Sequence, residues 1–143
     1  MFIYGIIKRL GGYIMDKSLV ILKPDFFENN LYEEFLNALN SVNILINKSF
    51  YISFTLDDVK KFYKWEKLYN IDMMFKYWCN RTHKVLDLYG NEAITKTTNI
   101  KKDFRSKYCK GCHEMYTLIH CSDTALDYER EINFLLSKKI LVY

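Results

Sequence analysis

His120 and Glu131 are the pair in this chain whose types and spacing point most directly to chemistry. They lie in residues 116–136, YTLIHCSDTALDYEREINFLL. Residues 115–119 are a short apolar, β-prone run, expected to be a buried strand that delivers His120 to the carboxyl edge of a sheet, where the backbone turns. Ser122-Asp123-Thr124 then offers N-cap chemistry, and Thr124 and Asp127 have capping-box spacing. Ala125, Tyr128, Ile132 and Leu135 follow at helical intervals and would pack the new helix back onto the sheet. Glu131, two turns in, is carried back past the end of the strand. Its carboxylate can hold one imidazole nitrogen and leave the lone pair on the other, the arrangement of a nucleophile with an orienting group. A histidine that merely caps a strand end is the other reading, and these residues alone do not choose between the two.

Two further groups carry candidate chemistry. Residues 18–22 form a continuous apolar run of strand length, which Lys23-Pro24-Asp25 ends because proline cannot continue a central ladder. A lysine at that edge is well placed to meet a phosphate, although a solvated strand-end lysine is the commoner case. Only four of the 21 basic residues are arginine. A planar guanidinium fork cannot be replaced by ammonium where phosphate must be gripped, so Arg105 and Arg130 are worth following, while Arg9 and Arg81 are incidental. The second group is Cys109-Lys110-Gly111-Cys112-His113. Its C-x-x-C-H pattern is that of covalent haem attachment; two thiolates and an imidazole also supply three zinc ligands, with His83 or Cys121 as the fourth. A plain hydrophilic loop is the alternative.

Ile119-His120-Cys121-Ser122-Asp123 followed by Glu129-Arg130-Glu131-Ile132 resembles the signature of the nucleoside diphosphate kinase family, Ile-His-Gly-Ser-Asp followed by Glu-Arg-Glu-Ile. The family histidine is transiently phosphorylated. The resemblance therefore implies that His120 is the phospho-acceptor, that Glu131 and Ser122 support it, and that Cys121 stands in the place of a glycine. Leu19-Val20-Ile21-Leu22-Lys23-Pro24-Asp25 resembles the family's first strand, whose lysine contacts the transferred phosphate, which implies that role for Lys23. Phe62-Tyr63 falls on the family's His-Tyr or Phe-Tyr pair, placing Tyr63 at the nucleotide site by resemblance. Spacing from it puts Ile71 and Phe75 where the family clamps the nucleobase, although a core-facing stripe demands the same residue types. The family's phosphate-binding arginine falls on Thr98, with Lys96, Lys101 and Lys102 the nearest basic residues to replace it. Arg105 matches the arginine of a later segment, and it follows so soon that most of the family's long surface loop is absent. The asparagine three before the family histidine is Thr117 here. The resemblance covers residues 16–137.

The elements that must position these groups can be read coarsely. Leu31, Phe35 and Leu39 mark an amphipathic helix over 31–39, and residues 44–54 alternate as a longer strand. Thr55-Leu56-Asp57-Asp58 caps another helix, an aromatic helical stretch covers 70–79, residues 84–89 are a strand, and a short helix follows Gly90. The resulting order is β-α-β-β-α-β, an α+β ferredoxin-like sandwich with a four-stranded antiparallel sheet covered by helices. The family fold is the same. Residues 1–14 lack periodicity and Met15 opens like a natural start, so 1–14 is expected to be an N-terminal extension or a misassigned start, and 15–143 the domain. A chain of 143 residues, 50% hydrophobic, supports one core.

A net charge of +4, spread along the chain, suits a small polyanion and shows no basic stripe for nucleic acid. Four cysteines without a signal peptide point to the cytoplasm, and no apolar run reaches the roughly 18 residues of a membrane span. The function implied by resemblance is transfer of a γ-phosphate from ATP or another nucleoside triphosphate to a nucleoside diphosphate through a phosphohistidine. Mg²⁺ would be bound through the nucleotide phosphates and not by the protein. Because the family's loop builds the trimeric contacts of hexamers and its second strand builds the dimer, a chain that keeps the strand and lacks the loop is expected to be a homodimer. The alternatives are a nucleotide-binding relative without turnover that serves as a regulatory or interaction module, and a metal or haem protein using Cys109, Cys112 and His113.

Overall fold

A computed structural model of the chain describes residues 6–10, 13–62, 76–109, 118–138 and 141–142. Its centre is the expected four-stranded antiparallel sheet, built from β2 (Tyr13–Leu22), β3 (Leu45–Ser53), β4 (Thr82–Asn91) and β5 (Ile119–Cys121) in the order β5-β2-β4-β3. Two more strands extend it. β1 (Ile6–Leu10) pairs with the first part of β2, and β6 (Leu141–Val142) pairs with Phe50 and Tyr51 of β3. β5 engages β2 only at Val20–Leu22, which leaves the Tyr13–Asp16 stretch of that edge to β1. Such a pairing is decided by an open edge elsewhere in the fold, so the unpatterned residues 1–14 carried no local sign of it.

Strand alternation sends β2 into two cores. Leu19 and Ile21 face one with Phe50, Ile52, Phe62, Trp78, Tyr128 and Ile132. Val20 and Leu22 face the other with Phe26, Phe35, Leu86, Phe104 and Ile119. Helices α1 (Pro24–Glu28), α2 (Tyr32–Ser41) and α4 (Ala93–Tyr108) cover the second core, and α3 (Leu56–Phe62) and α5 (Ala125–Lys138) cover the first. Proline ends β2 and immediately starts α1, where its fixed φ and missing N–H are harmless at the first helical position.

α4 departs from the expected short helix: it runs for 16 residues without a break. Ala93, Thr97, Ile100 and Phe104 recur on its buried side throughout, so one packed stripe carries the helix along its full length. Arg105 consequently projects from a helix. The capping residues behave as their spacing requires. Thr55 Oγ1 accepts from the Asp58 N–H at 3.1 Å while Asp58 Oδ2 accepts from the Thr55 N–H at 3.0 Å, a complete capping box on α3. Thr124 Oγ1 accepts from the Asp127 N–H at 3.1 Å at the start of α5.

α5 is pinned to the middle of the sheet by a buried polar pair. The Tyr128 hydroxyl donates to Asp87 Oδ1 at 2.7 Å, and Asn47 Nδ2 donates to Oδ2 of the same carboxylate at 3.0 Å. Burial, and then Asp87, push the Tyr128 phenol far up, so it stays a donor. Tyr128→Phe would leave one oxygen of a buried carboxylate without its donor. The unfolding free energy should fall by about 1.5–3 kcal/mol, measured by urea denaturation with an unchanged m-value.

Candidate active site

His120 is the middle residue of β5, not a residue beyond a strand end, and its register partner is Ile21. That correction also fixes its face: opposite residues of an antiparallel pair project to the same side, so His120 shares the α3/α5 side of the sheet with Ile21. The strand is entered under strain. Leu118 has φ +65°, unfavourable for a residue with a Cβ, and is held by bonds on both sides. Its carbonyl accepts from the Lys23 N–H at 2.9 Å and its N–H donates to Asp25 Oδ2 at 3.2 Å. Asp25 also accepts from the Tyr77 hydroxyl, so the carboxylate after the proline braces the approach to His120.

Glu131 arrives as its helical position requires. Its Oε1 lies 3.0 Å from His120 Nε2 and accepts from the Ser122 hydroxyl at 2.9 Å, while Oε2 accepts from Arg130 Nη2 at 3.3 Å. A carboxylate accepts only, so the Nε2 position of His120 carries the proton and the lone pair of the neutral ring is on Nδ1. The glutamate is buried, whereas the His120 side chain is 17% exposed. Phe62 meets the imidazole edge-on at 5.2 Å, and the carbonyl of Phe62 accepts from Arg130 Nη1 at 2.8 Å. Arg130 thus ties the end of α3 to the carboxylate that orients the histidine.

Lys23 follows the last residue of β2 and lies two residues beyond Ile21, the partner of His120. It is 4% exposed, with its ammonium over the ring of Trp78. Burial, and then the Arg105 guanidinium, lower its pKa to about 7 against the opposing pull of Asp25. Arg105 donates to the Ile119 carbonyl at 2.6 Å. The Leu118 carbonyl and the Ser122 N–H both point to β2, so by alternation the Ile119 carbonyl faces the outer edge of β5, where α4 passes. The cations considered as substitutes for a lost arginine separate clearly. Lys96 donates to the Val42 carbonyl at 3.1 Å, and Lys102 is exposed. Lys101 is largely buried, one turn before Arg105, with Asp123 at 3.9 Å, and its charge is felt by Lys23.

The structure therefore brings together His120, Glu131 and Ser122, and sets Lys23 and Arg105 against the backbone of the same strand. Thr98 is half-buried on α4. Tyr63, Ile71, Phe75, Thr117, Cys112 and His113 lie outside the described residues, and with them most of the aromatic stretch 70–79 and of the C-x-x-C-H loop. Among the described residues no cluster of three or more His, Cys, Asp or Glu side chains is suited to hold a metal ion, and no helix is long and apolar enough to cross a membrane. Sequence reasoning did not single out Asp25, Phe62 or Trp78 as parts of this site. The Lys-Pro-Asp run was the one available signal, since an aspartate beside a buried strand end is a natural partner for exposed backbone N–H groups.

The family profile described as nucleoside diphosphate kinase matches residues 16–140 of the chain. Among solved structures, the nucleoside diphosphate kinase of Aquifex aeolicus superposes with a TM-score of 0.70 at 19% identity, covering 85% of this chain and 94% of that one. A transition-state mimic of the Borrelia burgdorferi enzyme with bound vanadate and ADP gives 0.65 at 19% identity, covering 84% and 86%. The Encephalitozoon cuniculi enzyme gives 0.69 at 15% identity, covering 82% and 86%. No curated protein matches the chain. Identities this low speak for the fold alone, but the profile spans most of the sequence: the chain belongs to the nucleoside diphosphate kinase family.

Proposed function

We propose that this chain is an active nucleoside diphosphate kinase that works through a phosphohistidine at His120. The observation that carries the reading is the His120 Nε2 to Glu131 Oε1 contact of 3.0 Å, with Ser122 on the same oxygen. It fixes the tautomer that leaves the nucleophilic lone pair on Nδ1. In the first half-reaction Nδ1 forms a bond to the γ-phosphorus of a nucleoside triphosphate such as ATP. The bond from that phosphorus to the β,γ-bridging oxygen breaks, and the departing diphosphate keeps the electron pair. The ring, now bonded at both nitrogens, becomes cationic, and Glu131 opposes that charge through Nε2–H. The second half-reaction is the reverse, with a terminal oxygen of another nucleoside diphosphate as the attacking group.

Phosphoryl transfer is mostly positioning and charge neutralisation, which this reading assigns to Lys23 and Arg105. Lys101, largely buried and within electrostatic reach of Lys23, is the best placed of the three lysines to add to them. The nucleotide enters as its Mg²⁺ complex, which supplies further neutralisation; an imidazole and several cations fit the phosphate end of such a complex and not a bare metal ion. The nucleoside end is assigned to Tyr63, Ile71 and Phe75, with Thr98 and Thr117 at family binding positions, and the reaction to the cytoplasm. Incubation with γ-³²P-labelled ATP and Mg²⁺ should give a protein-bound label that is acid-labile, alkali-stable and discharged by any nucleoside diphosphate. Nucleotide binding without label would reduce the chain to a non-catalytic relative.

The same reading includes a homodimer formed along β3. Leu45 is 50% and Ile46 39% exposed at the start of that strand, an apolar edge that isologous pairing would cover. β6 occupies the edge at Phe50 and Tyr51, so the proposed interface is confined to the first half of the strand and does not use all of 44–54. Light scattering should show a dimer for the full chain and a monomer for L45K/I46K. A hexamer would overturn the argument from the missing loop, and a monomeric wild type would remove the interface.

A further inference from the structure

The indole of Trp78 and the imidazole of His83 stack with centroids 4.7 Å apart and planes 16° from parallel, and both side chains are buried. Lys23 Nζ lies 5.0 Å from the centroid of the same indole. His83, on β4, bonds through Nδ1 to the Arg81 carbonyl at 3.1 Å, and Phe54 meets its ring edge-on at 5.1 Å. Its Nε2 is buried with no partner among the described residues. Burial, reinforced by Lys23 and Arg81, lowers its pKa to about 3, so it backs the indole as a neutral ring and adds no charge beside Lys23. An aliphatic side chain would avoid the unpaired nitrogen, but it would not present a flat, polarisable face to the indole.

Arg105 and Lys101 on α4 repel the Lys23 ammonium, while Asp25 on α1 and Cys109 just after α4 attract it. An aromatic face attracts a cation through its quadrupole, carries no net charge, and so leaves the ammonium able to engage an anion.

We propose that Trp78, backed by the stacked His83, is a positioning residue for Lys23, its indole face holding the ammonium in place and in its charged form for an incoming phosphate. The inference rests on the proposed phosphoryl transfer only for the identity of that phosphate. Removing the face should disfavour the charged form of Lys23. Activity needs the ammonium, so the alkaline limb of kcat/KM should then move to lower pH, and kcat should suffer more than KM.

The test weakens the indole face without changing its shape. With Trp65 changed to Phe, Trp78 is replaced biosynthetically by tryptophan carrying increasing numbers of fluorine atoms, which withdraw electron density from the ring at almost constant volume. Lys23 is followed by ¹³C-lysine NMR, its resonance identified by its absence in Lys23→Met. The titration midpoint of Lys23 should fall steadily with fluorination, by about half to one pH unit over the series, with the alkaline limb of any phosphoryl transfer moving in step. A midpoint independent of fluorination would overturn the proposal, and normal transfer in those proteins would leave the kinase reading standing. A falling midpoint in protein that never becomes phosphorylated would do the opposite: the positioning role would hold for an anion-binding lysine, and the kinase reading would fall.

Discussion

His120→Ala is expected to abolish the phosphoenzyme and to lower turnover by at least about four orders of magnitude, since it removes the group that the proposed reaction uses to form the bond to phosphorus. Glu131→Gln separates orientation from charge. The glutamine carbonyl can still accept from Nε2–H and from Ser122, so the tautomer and the reach of Nδ1 survive, but the negative charge opposing the phosphorylated ring is lost. A fall in kcat of about 100-fold with a smaller change in KM is expected, because that charge matters only once the ring becomes cationic. Rapid-quench measurement of labelled protein gives both numbers. Label retained in His120→Ala would remove the kinase reading, and wild-type rates in Glu131→Gln would show that the 3.0 Å contact serves the fold alone.

Lys23→Met should depress turnover by about 10²- to 10³-fold, since in the proposed reaction it removes a charge assigned to the transferring group itself. It should also reveal a conflict between stability and function that is visible in the pH dependence. The pKa of Lys23 is lowered by burial to about 7, from an ordinary 10.5. The unfolded chain therefore binds the extra proton over a range where the native chain does not. Burying the charged lysine is a cost in full below pH 7, and it is relieved as the pH rises from about 7 towards 10.5. Lys23→Met, free of that cost, should be more stable than wild type at pH 6, with the gap closing as the pH rises through that window. Turnover of wild type should move the other way, falling above pH 7 as the ammonium is lost. A gap between the two unfolding midpoints that does not vary with pH would contradict the buried, poised lysine.

Much of the site was legible because it is local. His120, Ser122 and Glu131 lie within one strand-cap-helix unit, and the helical repeat of Tyr128, Ile132 and Leu135 fixes which side of α5 faces the sheet, and hence where Glu131 returns. Lys23 was legible for a similar reason: an apolar run ended by proline must be a strand that stops, and the residue before the proline lies at its edge. The count of four central strands, in β-α-β-β-α-β sequence along the chain, followed from the alternation of strand and helix patterns. Other features belong to contacts between segments far apart in the chain. β1 exists as a strand because β5 leaves part of the β2 edge open, and β6 covers part of β3. The full length of α4, and the turn of Arg105 toward the Ile119 carbonyl, depend on where that helix passes the outer edge of β5. In sequence Trp78 was one residue of an aromatic helical stretch and His83 a possible fourth zinc ligand, because residue type and spacing do not record which rings will meet. Only the packing of β4 against the end of β2 shows that their rings stack beneath a buried ammonium, since a periodicity records which side of an element is covered and not what covers it.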